Sequence, residues 1–196
     1  LYSELVRGYG GVPIVDVPYE MDQIEEMQIP RNNMKECLEF IIADCEEAEK
    51  YLPATSELGR ATKGAATALK ARMLLHVASP LYADRTVNTL PANQYEGDRG
   101  ALYRAAITAA DQVINSGTYA LIDCGDGLNT ERAIKFNSII TKNNEEQIFT
   151  RQYGTLGDWN QMGLWHGPNG YHNWAGTTPT QDLVMSFEFE DGTLSE

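Results

Sequence analysis

Long apolar runs and an excess of basic residues are both missing from this sequence. No stretch approaches the roughly 20 consecutive apolar residues that a helix needs to span a bilayer. Its 15 basic residues are outnumbered by 28 acidic ones, which gives a net charge of -13. Because nucleic-acid binding depends on lysine and arginine neutralising phosphates, this balance argues against a nucleic-acid partner. The net charge alone does not identify any other ligand.

Cysteines are few, and their number is odd. Cys37 and Cys45 lie on one predicted helix, which places them ~12 Å apart at a rise of ~1.5 Å per residue, too far for a disulfide. Both are interpreted as small apolar core residues. The cysteines do not determine the redox compartment.

Motifs for metal and nucleotide chemistry are missing as well. Neither HExxH nor a spaced Cys/His pattern occurs, and the spacing of His166, His172 and Asp158 does not promise a metal site. Residues 59–64 resemble a phosphate loop only faintly, because Ala65 stands where that motif needs its lysine. We predict no metal and no cofactor.

The length of the chain is typical of one globular domain. A chain of 196 residues buries roughly 70% of the surface that its unfolded form exposes. It begins at Leu1 without a methionine or a signal-peptide pattern, so we interpret it as a mature or excised segment. We expect a single domain over residues 1–196, with a helical part over about 30–117 and a loop-rich part over about 118–196.

Two helices are predicted in the first half of the helical part. Residues 33–52 have apolar side chains at helical spacing, with a capping box between Asn33 and Glu36. Residues 62–79 are apolar almost all round, except for a thin polar stripe at Lys63, Thr67 and Lys70. A helix of this kind must pack on several sides.

A third helix is predicted over about 102–116 and closes on Gly117. Its predicted core face consists of Tyr103, Ala106, Ile107, Ala110, Val113 and Ile114. Beyond it, residues 119–122 and 147–150 are expected to be short strands or extended segments. Residues 153–178 then form a long stretch rich in glycine, asparagine and aromatics, without usable periodicity.

All three tryptophans of the chain fall in this stretch, and their clustering is the strongest local signal. Aromatic faces stack on the C–H face of a sugar ring, while amides and imidazoles bind its hydroxyls. The candidate ligand-binding residues are Trp159, Trp165, Trp174, Tyr171, His166, His172, Asn160 and Asn173. The alternative is a compact Ω-loop folded over its own tryptophans.

Carboxylates that a glycosidase would need in a close pair are scattered along the sequence. They are Asp158, Asp182, Glu145, Glu146 and Glu188. We therefore predict no catalytic residues and no enzyme activity, and we interpret these acids as solvated.

Several segments, taken in order, resemble the SusD/RagB family. Residues 9–13 read YGGVP, and residues 59–82 read GRATKGAATALKARMLLHVASPLY, which is similar to the most recognisable helix of that family. Further blocks resemble the family at Arg31 with residues 44–53, at 103–121, at 144–149 and at 179–192. The resemblance covers essentially the whole chain, as a central fragment of such a protein.

This resemblance implies a mainly α-helical protein of tetratricopeptide-like helix pairs, with a long irregular aromatic-rich loop region and few short strands. It implies a non-catalytic lipoprotein at the outer-membrane cell surface that binds a polysaccharide or oligosaccharide for uptake through a TonB-dependent SusC-like barrel. The lipid anchor is expected upstream of this chain. Family sugar sites lie in variable loops, so only their location, after Tyr153, carries over.

Two other functions stay open at this point. In the first, the helices serve only as a docking face for the importer, without sugar contact. In the second, the protein is a glycoside hydrolase. Binding to a barrel without affinity for glycan would favour the first, and steady release of reducing ends would favour the second.

Overall fold

The computed structural model describes residues 1–126, 130–153, 161–189 and 191–194. Contacts within the chain divide it into two compact units, Leu1–Thr150 and Arg151–Glu196. This division lies beyond residue 117, which is the end of the predicted helical part. A single domain over residues 1–196 stays a prediction.

Helices dominate the described residues, which confirms the mainly α fold class. They are α1 (Tyr2–Tyr9), α2 (Met34–Tyr51), α3 (Lys63–Val77), α4 (Arg99–Ile114), α5 (Thr130–Thr141), α6 (Met162–His166) and α7 (Gln181–Met185). Two short 3-10 turns, Pro80–Tyr82 and Pro91–Asn93, lie between α3 and α4.

Strand pairing in the described ranges is limited to two isolated bridges, one between Asn169 and Asn173 and one between Glu188 and Leu194. Residues 119–122 and 147–150 do not form strands, so the short-strand alternative is not observed. The N–H of Ile122 donates to the Glu146 carboxylate at 2.7 Å. The Ala120 N–H also donates to the Glu145 carbonyl at 3.2 Å, so the two parts of the chain are joined without a strand ladder.

The predicted start of α2 is confirmed in detail. The Asn33 side chain accepts from the Glu36 N–H at 2.9 Å, and the Glu36 carboxylate accepts from the Asn33 N–H at 3.0 Å. Hydrogen bonds from the Asn32 side chain, first, and from the Asn33 backbone lower the pKa of Glu36. This reciprocal cap satisfies two backbone donors at the helix end.

The buried face of α2 supplies much of the core of the first unit, and the prediction for its cysteines is confirmed. Cys37 and Cys45 are both buried and free. The Val12 N–H donates to the Cys37 sulfur at 3.4 Å. Burial raises the pKa of both thiols, so they behave as small core side chains.

The helices α2, α3 and α4 pack in sequence, each antiparallel to the next. Leu38 and Leu74 line one groove between α2 and α3, whereas Ala48 and Ala65 line another. The end of α3 meets the start of α4, where the Arg99 guanidinium donates to the Ala78 carbonyl at 2.8 Å. Such antiparallel neighbours are the helix pairs that the sequence indicated.

The prediction that α3 is packed on several sides behind a polar stripe was wrong in part. Thr67 is buried, and its hydroxyl donates to the Lys63 carbonyl at 3.0 Å. Leu75, by contrast, is 56% exposed. The helix buries the sides that face α2 and α4, and a nearly uniform apolar composition does not reveal which sides those are.

The predicted core face of α4 was also wrong in part. Ala106, Ala109 and Val113 are buried, whereas Ile107 and Ile114 are 61% and 69% exposed. The buried residues follow one another at three and four positions, so one narrow stripe of small side chains meets α3. Beyond the helix, Gly117 has a φ of 68°, the left-handed conformation that glycine adopts readily.

A side chain from the loop before α2 organises the YGGVP segment. The Arg31 Nε donates to the Gly11 carbonyl at 2.6 Å, and its guanidinium also donates to the Tyr9 carbonyl. The Gly11 N–H donates in turn to the Ala92 carbonyl at 3.2 Å. Three separate parts of the chain are joined at one glycine.

His76, near the end of α3, makes stability depend on pH. Its Nε2 lies 2.7 Å from the Tyr82 hydroxyl, and the rings pack edge to face. Burial, first, and the positive charges of Arg7 and Arg72 lower the pKa of His76 from its ordinary value of 6.5. Its contribution to stability is therefore complete above about pH 6.5 and is lost as the pH falls towards the lowered folded-state pKa.

We expect His76→Gln to reduce the fall in melting temperature between neutral and mildly acidic pH, because the variant has no proton to take up on unfolding. His166→Gln, at an exposed histidine, is the control and should keep the parent slope. Melting curves across that pH range check this. Equal slopes for all three proteins would rule out the assignment to His76.

Candidate functional site

The candidate ligand residues described by the structure lie in the second unit, on a loop that folds back on itself. Helix α6 forms its first limb, and residues 174–176 return along it. The N–H of Trp174 donates to the Leu164 carbonyl at 2.7 Å, and the N–H of Gly176 donates to the Trp165 carbonyl at 2.7 Å. These bonds bring the two limbs side by side.

The turn between the limbs needs unusual backbone geometry. Gly170, His172 and Ala175 have φ values of 93°, 61° and 49°. A Cβ added at Gly167 would clash with the Gly163 carbonyl oxygen and the Asn173 side chain. The turn is tight because glycine permits a close approach of backbone.

Two tryptophans meet as a result of this turn. The rings of Trp165 and Trp174 lie 4.8 Å apart, centroid to centroid, at an interplanar angle of 77°. The Trp165 indole N–H donates to the Gln161 side-chain oxygen at 2.7 Å. Trp165 is 46% exposed and Trp174 is 59% exposed. The pair is held in place yet presents aromatic surface to solvent.

The remaining candidates stand as follows. Tyr171 is 77% exposed at the turn, and His166 and His172 are exposed on the same loop. Asn173 is half-buried against Gly167, which is the position of a structural support. Trp159 and Asn160 lie outside the described residues.

Gln161 is a residue that the candidate set left out, although its amide belongs to the same polar cluster. Its role is to fix the Trp165 indole. Nothing in the spacing sets it apart from the neighbouring amides, because the sequence does not show which indole N–H an amide will receive.

The loop combines features of both interpretations made from the sequence. The backbone bonds between its two limbs are internal, as in an Ω-loop, but Trp165 and Trp174 are about half-exposed rather than buried. An exposed ring surface next to amide and imidazole groups can stack on an apolar face and donate or accept hydrogen bonds at its edge. This is the chemistry that a sugar ring requires.

The comparisons with known proteins bear on the whole chain. A family model described as SusD-like, starch-binding and associating with the outer membrane matches residues 1–75. A SusD-like protein (BF3747) from Bacteroides fragilis NCTC 9343 is 32% identical, with a TM-score of 0.72 over 100% of this chain. The chain belongs to the SusD-like family. No curated protein matches the sequence significantly.

This SusD-like chain spans only part of the structures it resembles. It covers 34% of the BF3747 chain. A second structure, BT4246, is 31% identical with a TM-score of 0.52, over 60% of this chain and 23% of that one. The family-model match ends at residue 75, so the tryptophan pair lies outside it.

The acidic residues of this SusD-like chain do not form a metal centre where the structure describes them. No group of three His, Cys, Asp or Glu residues is close enough to hold an ion within the described ranges. Glu146 accepts the Ile122 N–H, which is a structural contact. Asp158 lies outside the described residues.

No helix in the described part is both long and apolar enough to cross a bilayer.

Proposed function

We propose that this chain is part of a non-catalytic, outer-membrane SusD-like protein that binds a polysaccharide or oligosaccharide. The observation that carries the proposal is the exposed Trp165–Trp174 pair, held edge to face by its own loop. The family description, starch-binding and associating with the outer membrane, supports the ligand class and the location.

The different burial of side chains in the two units supports a different role for each. The antiparallel α2–α3–α4 layer supplies most of the core of the first unit and acts as a rigid scaffold. The second unit presents exposed aromatics and polar groups, which are the properties of a contact surface. In the whole protein, a lipid anchor upstream of this chain would hold the surface at the membrane, where a TonB-dependent SusC-like barrel receives the glycan.

A second function, docking on the importer without sugar contact, is favoured by the exposed apolar face of α4. Tyr103, Ile107 and Ile114 lie on that face and are 38%, 61% and 69% exposed. Retention of barrel binding by a protein that binds no glycan would support this alternative. Release of reducing ends from a polysaccharide would instead support hydrolysis and contradict the non-catalytic proposal.

The test of the proposed function is replacement of either tryptophan by alanine in the full-length protein. Removal of a pre-ordered aromatic contact at a binding hot spot costs about 2 kcal/mol, or about 30-fold in affinity. Both rings are about half-exposed, so we expect the melting temperature to stay close to that of the parent. Isothermal calorimetry with a glycan identified by array screening measures the change.

Phe136→Ala is the matched control, because Phe136 is a 61% exposed aromatic on α5. It should bind glycan like the parent. Two folded tryptophan variants with parental affinity would exclude the pair as the sugar contact. A loss of about 3–5 kcal/mol in stability, as for buried tryptophans, would instead favour the self-contained Ω-loop.

A further inference from the structure

A cavity of about 420 Å³ lies in the first unit, away from the sequence that carries the tryptophans. It forms where the end of α2, the start of α3 and the end of α4 meet the segment after α4. The lining residues that matter here are Glu49, Lys63, Gln112, Asn115, Ser116 and Tyr119. Its volume falls within the range of about 300–1,000 Å³ that is typical of small-molecule sites.

One wall of the cavity carries an unsatisfied carboxylate oxygen. Glu49 Oε1 is buried and has no hydrogen-bond partner among the residues that the structure describes. Buried polar atoms almost always have a partner in folded proteins, and an exception requires a specific explanation. A bound molecule that donates a hydrogen bond to Glu49 is such an explanation.

Another part of the cavity lining is an aromatic side chain that its neighbours hold in place. The Tyr119 hydroxyl lies 3.0 Å from the hydroxyl of Thr62, the residue that caps α3. A Cβ added at Gly64 would clash with the Tyr119 ring, so the ring packs where only glycine leaves room. The ring therefore offers a rigid, pre-ordered face to the cavity.

Tyr119 also lines a neighbouring cavity that repeats the same feature. That cavity includes Gln147, whose side-chain oxygen is likewise buried without a partner in the described part of the chain. Two unsatisfied acceptor oxygens thus occur in cavities that share one tyrosine. Both of these oxygens need hydrogen-bond donors.

The charges of the first cavity narrow the class of ligand. One carboxylate, on Glu49, and one ammonium, on Lys63, balance each other, which favours a neutral molecule over an anion or a cation. Gln112 and Asn115 can each donate and accept, whereas the Ser116 hydroxyl already donates to the Val113 carbonyl at 2.7 Å. A molecule with several hydroxyl groups and one apolar face matches this set.

We infer that the cavity at Glu49 and Tyr119 binds a saccharide unit, as a second sugar site in the helical unit. A sugar hydroxyl donates to Glu49 Oε1, and the sugar ring lies against Tyr119. The choice of a saccharide rests on the proposed glycan-binding function, whereas the cavity and its unsatisfied carboxylate do not.

The test uses the full-length protein with Trp165→Ala and Trp174→Ala combined, so that the aromatic contact of the loop is removed. Glucose, galactose, xylose and maltose are the probes, and their binding is measured by saturation-transfer NMR and calorimetry. At least one should still bind, and Glu49→Gln in this background should weaken its binding about 10-fold or more, because a hydrogen bond to a charged group is lost.

Glu47→Gln is the matched control, since Glu47 is an exposed carboxylate on the same helix that pairs with Lys50. It should bind like its background. Glu49→Gln preserves side-chain size and removes an unpaired carboxylate, so its melting temperature should not fall. Gln112→Ala, at an exposed position that lines the cavity, should also weaken binding and gives a second variant.

The outcomes separate this inference from the proposed function. Loss of all binding in the double tryptophan background, when the parent binds, overturns the cavity site and leaves the loop site standing. Unchanged binding in that background that disappears with Glu49→Gln supports the cavity site and contradicts the loop site. Equal binding by the Glu49 and Glu47 variants overturns the cavity site. Absence of binding of all four probes by the parent also overturns the cavity site, but not the loop site, which is tested with the glycan identified by array screening.

Discussion

Gly11→Ala is expected to destabilise the protein by about 3 kcal/mol or more, the upper end of the cost of overpacking. A Cβ at this position would lie far inside van der Waals contact with the carbonyl oxygens of Asn32 and Ala92. These are backbone atoms, so the clash cannot be relieved by moving a flexible side chain. The Gly11 carbonyl also accepts from Arg31 at 2.6 Å, and any shift would strain that bond.

Gly8→Ala is the matched control for this prediction. Gly8 lies in α1, and nothing approaches the position of its added Cβ within 4 Å. Alanine is favoured over glycine in a helix by up to about 1 kcal/mol, so this variant should be as stable as the parent or more stable. Urea unfolding of the full-length protein compares the two, and a Gly11 variant as stable as the Gly8 variant would contradict the packing of the YGGVP segment.

Met73→Ala is expected to lower the free energy of unfolding by about 2–5 kcal/mol. Met73 lies on α3 and has 0% exposure, within a cluster that includes Met34, Leu38 and Ala106. Its truncation removes apolar contacts and leaves a cavity that the neighbouring helices cannot fill completely. The same helix provides the control, Leu75→Ala, at a side chain that is 56% exposed.

Leu75→Ala should change stability by no more than about 0.5 kcal/mol, as surface substitutions usually do. Chemical unfolding curves of both variants, in the full-length protein, give the comparison. Similar losses at Met73 and Leu75 would mean that the two sides of α3 are buried alike in the full-length protein.

Local signals in the sequence predicted the helical part well. The capping box at Asn33 and Glu36 is present, and Thr62 caps α3 with its side chain. Capping and helical periodicity depend on residues within one turn of each other, so a single sequence reveals them. The inward side of α4 was not predictable in the same way, because Ala109 and Ala110 differ only in which neighbour each meets.

Helices without a buried face escaped prediction. Helix α5 has no buried residue, although Ala133, Phe136 and Ile140 recur at helical spacing. The short helices α6 and α7 also have no buried residues. Their formation depends on the surrounding chain more than on their own pattern.

The candidate site was predictable in composition but not in geometry. The clustering of tryptophans selected this loop as the candidate, yet the pairing of Trp165 with Trp174 depends on left-handed backbone at His172 and Ala175. Non-glycine residues rarely adopt that conformation. The buried oxygen of Glu49 was likewise not predictable, because its cavity is lined by residues of α2, α3, α4 and the segment after α4.

The central claim is that the exposed Trp165–Trp174 pair contacts the glycan directly. The most direct measurement is fluorine NMR of the full-length protein containing 5-fluorotryptophan, with signals assigned by Trp165→Phe and Trp174→Phe. On titration with a glycan that calorimetry shows to bind, both signals should shift in proportion to occupancy. A saturated complex in which neither signal moves would contradict the claim.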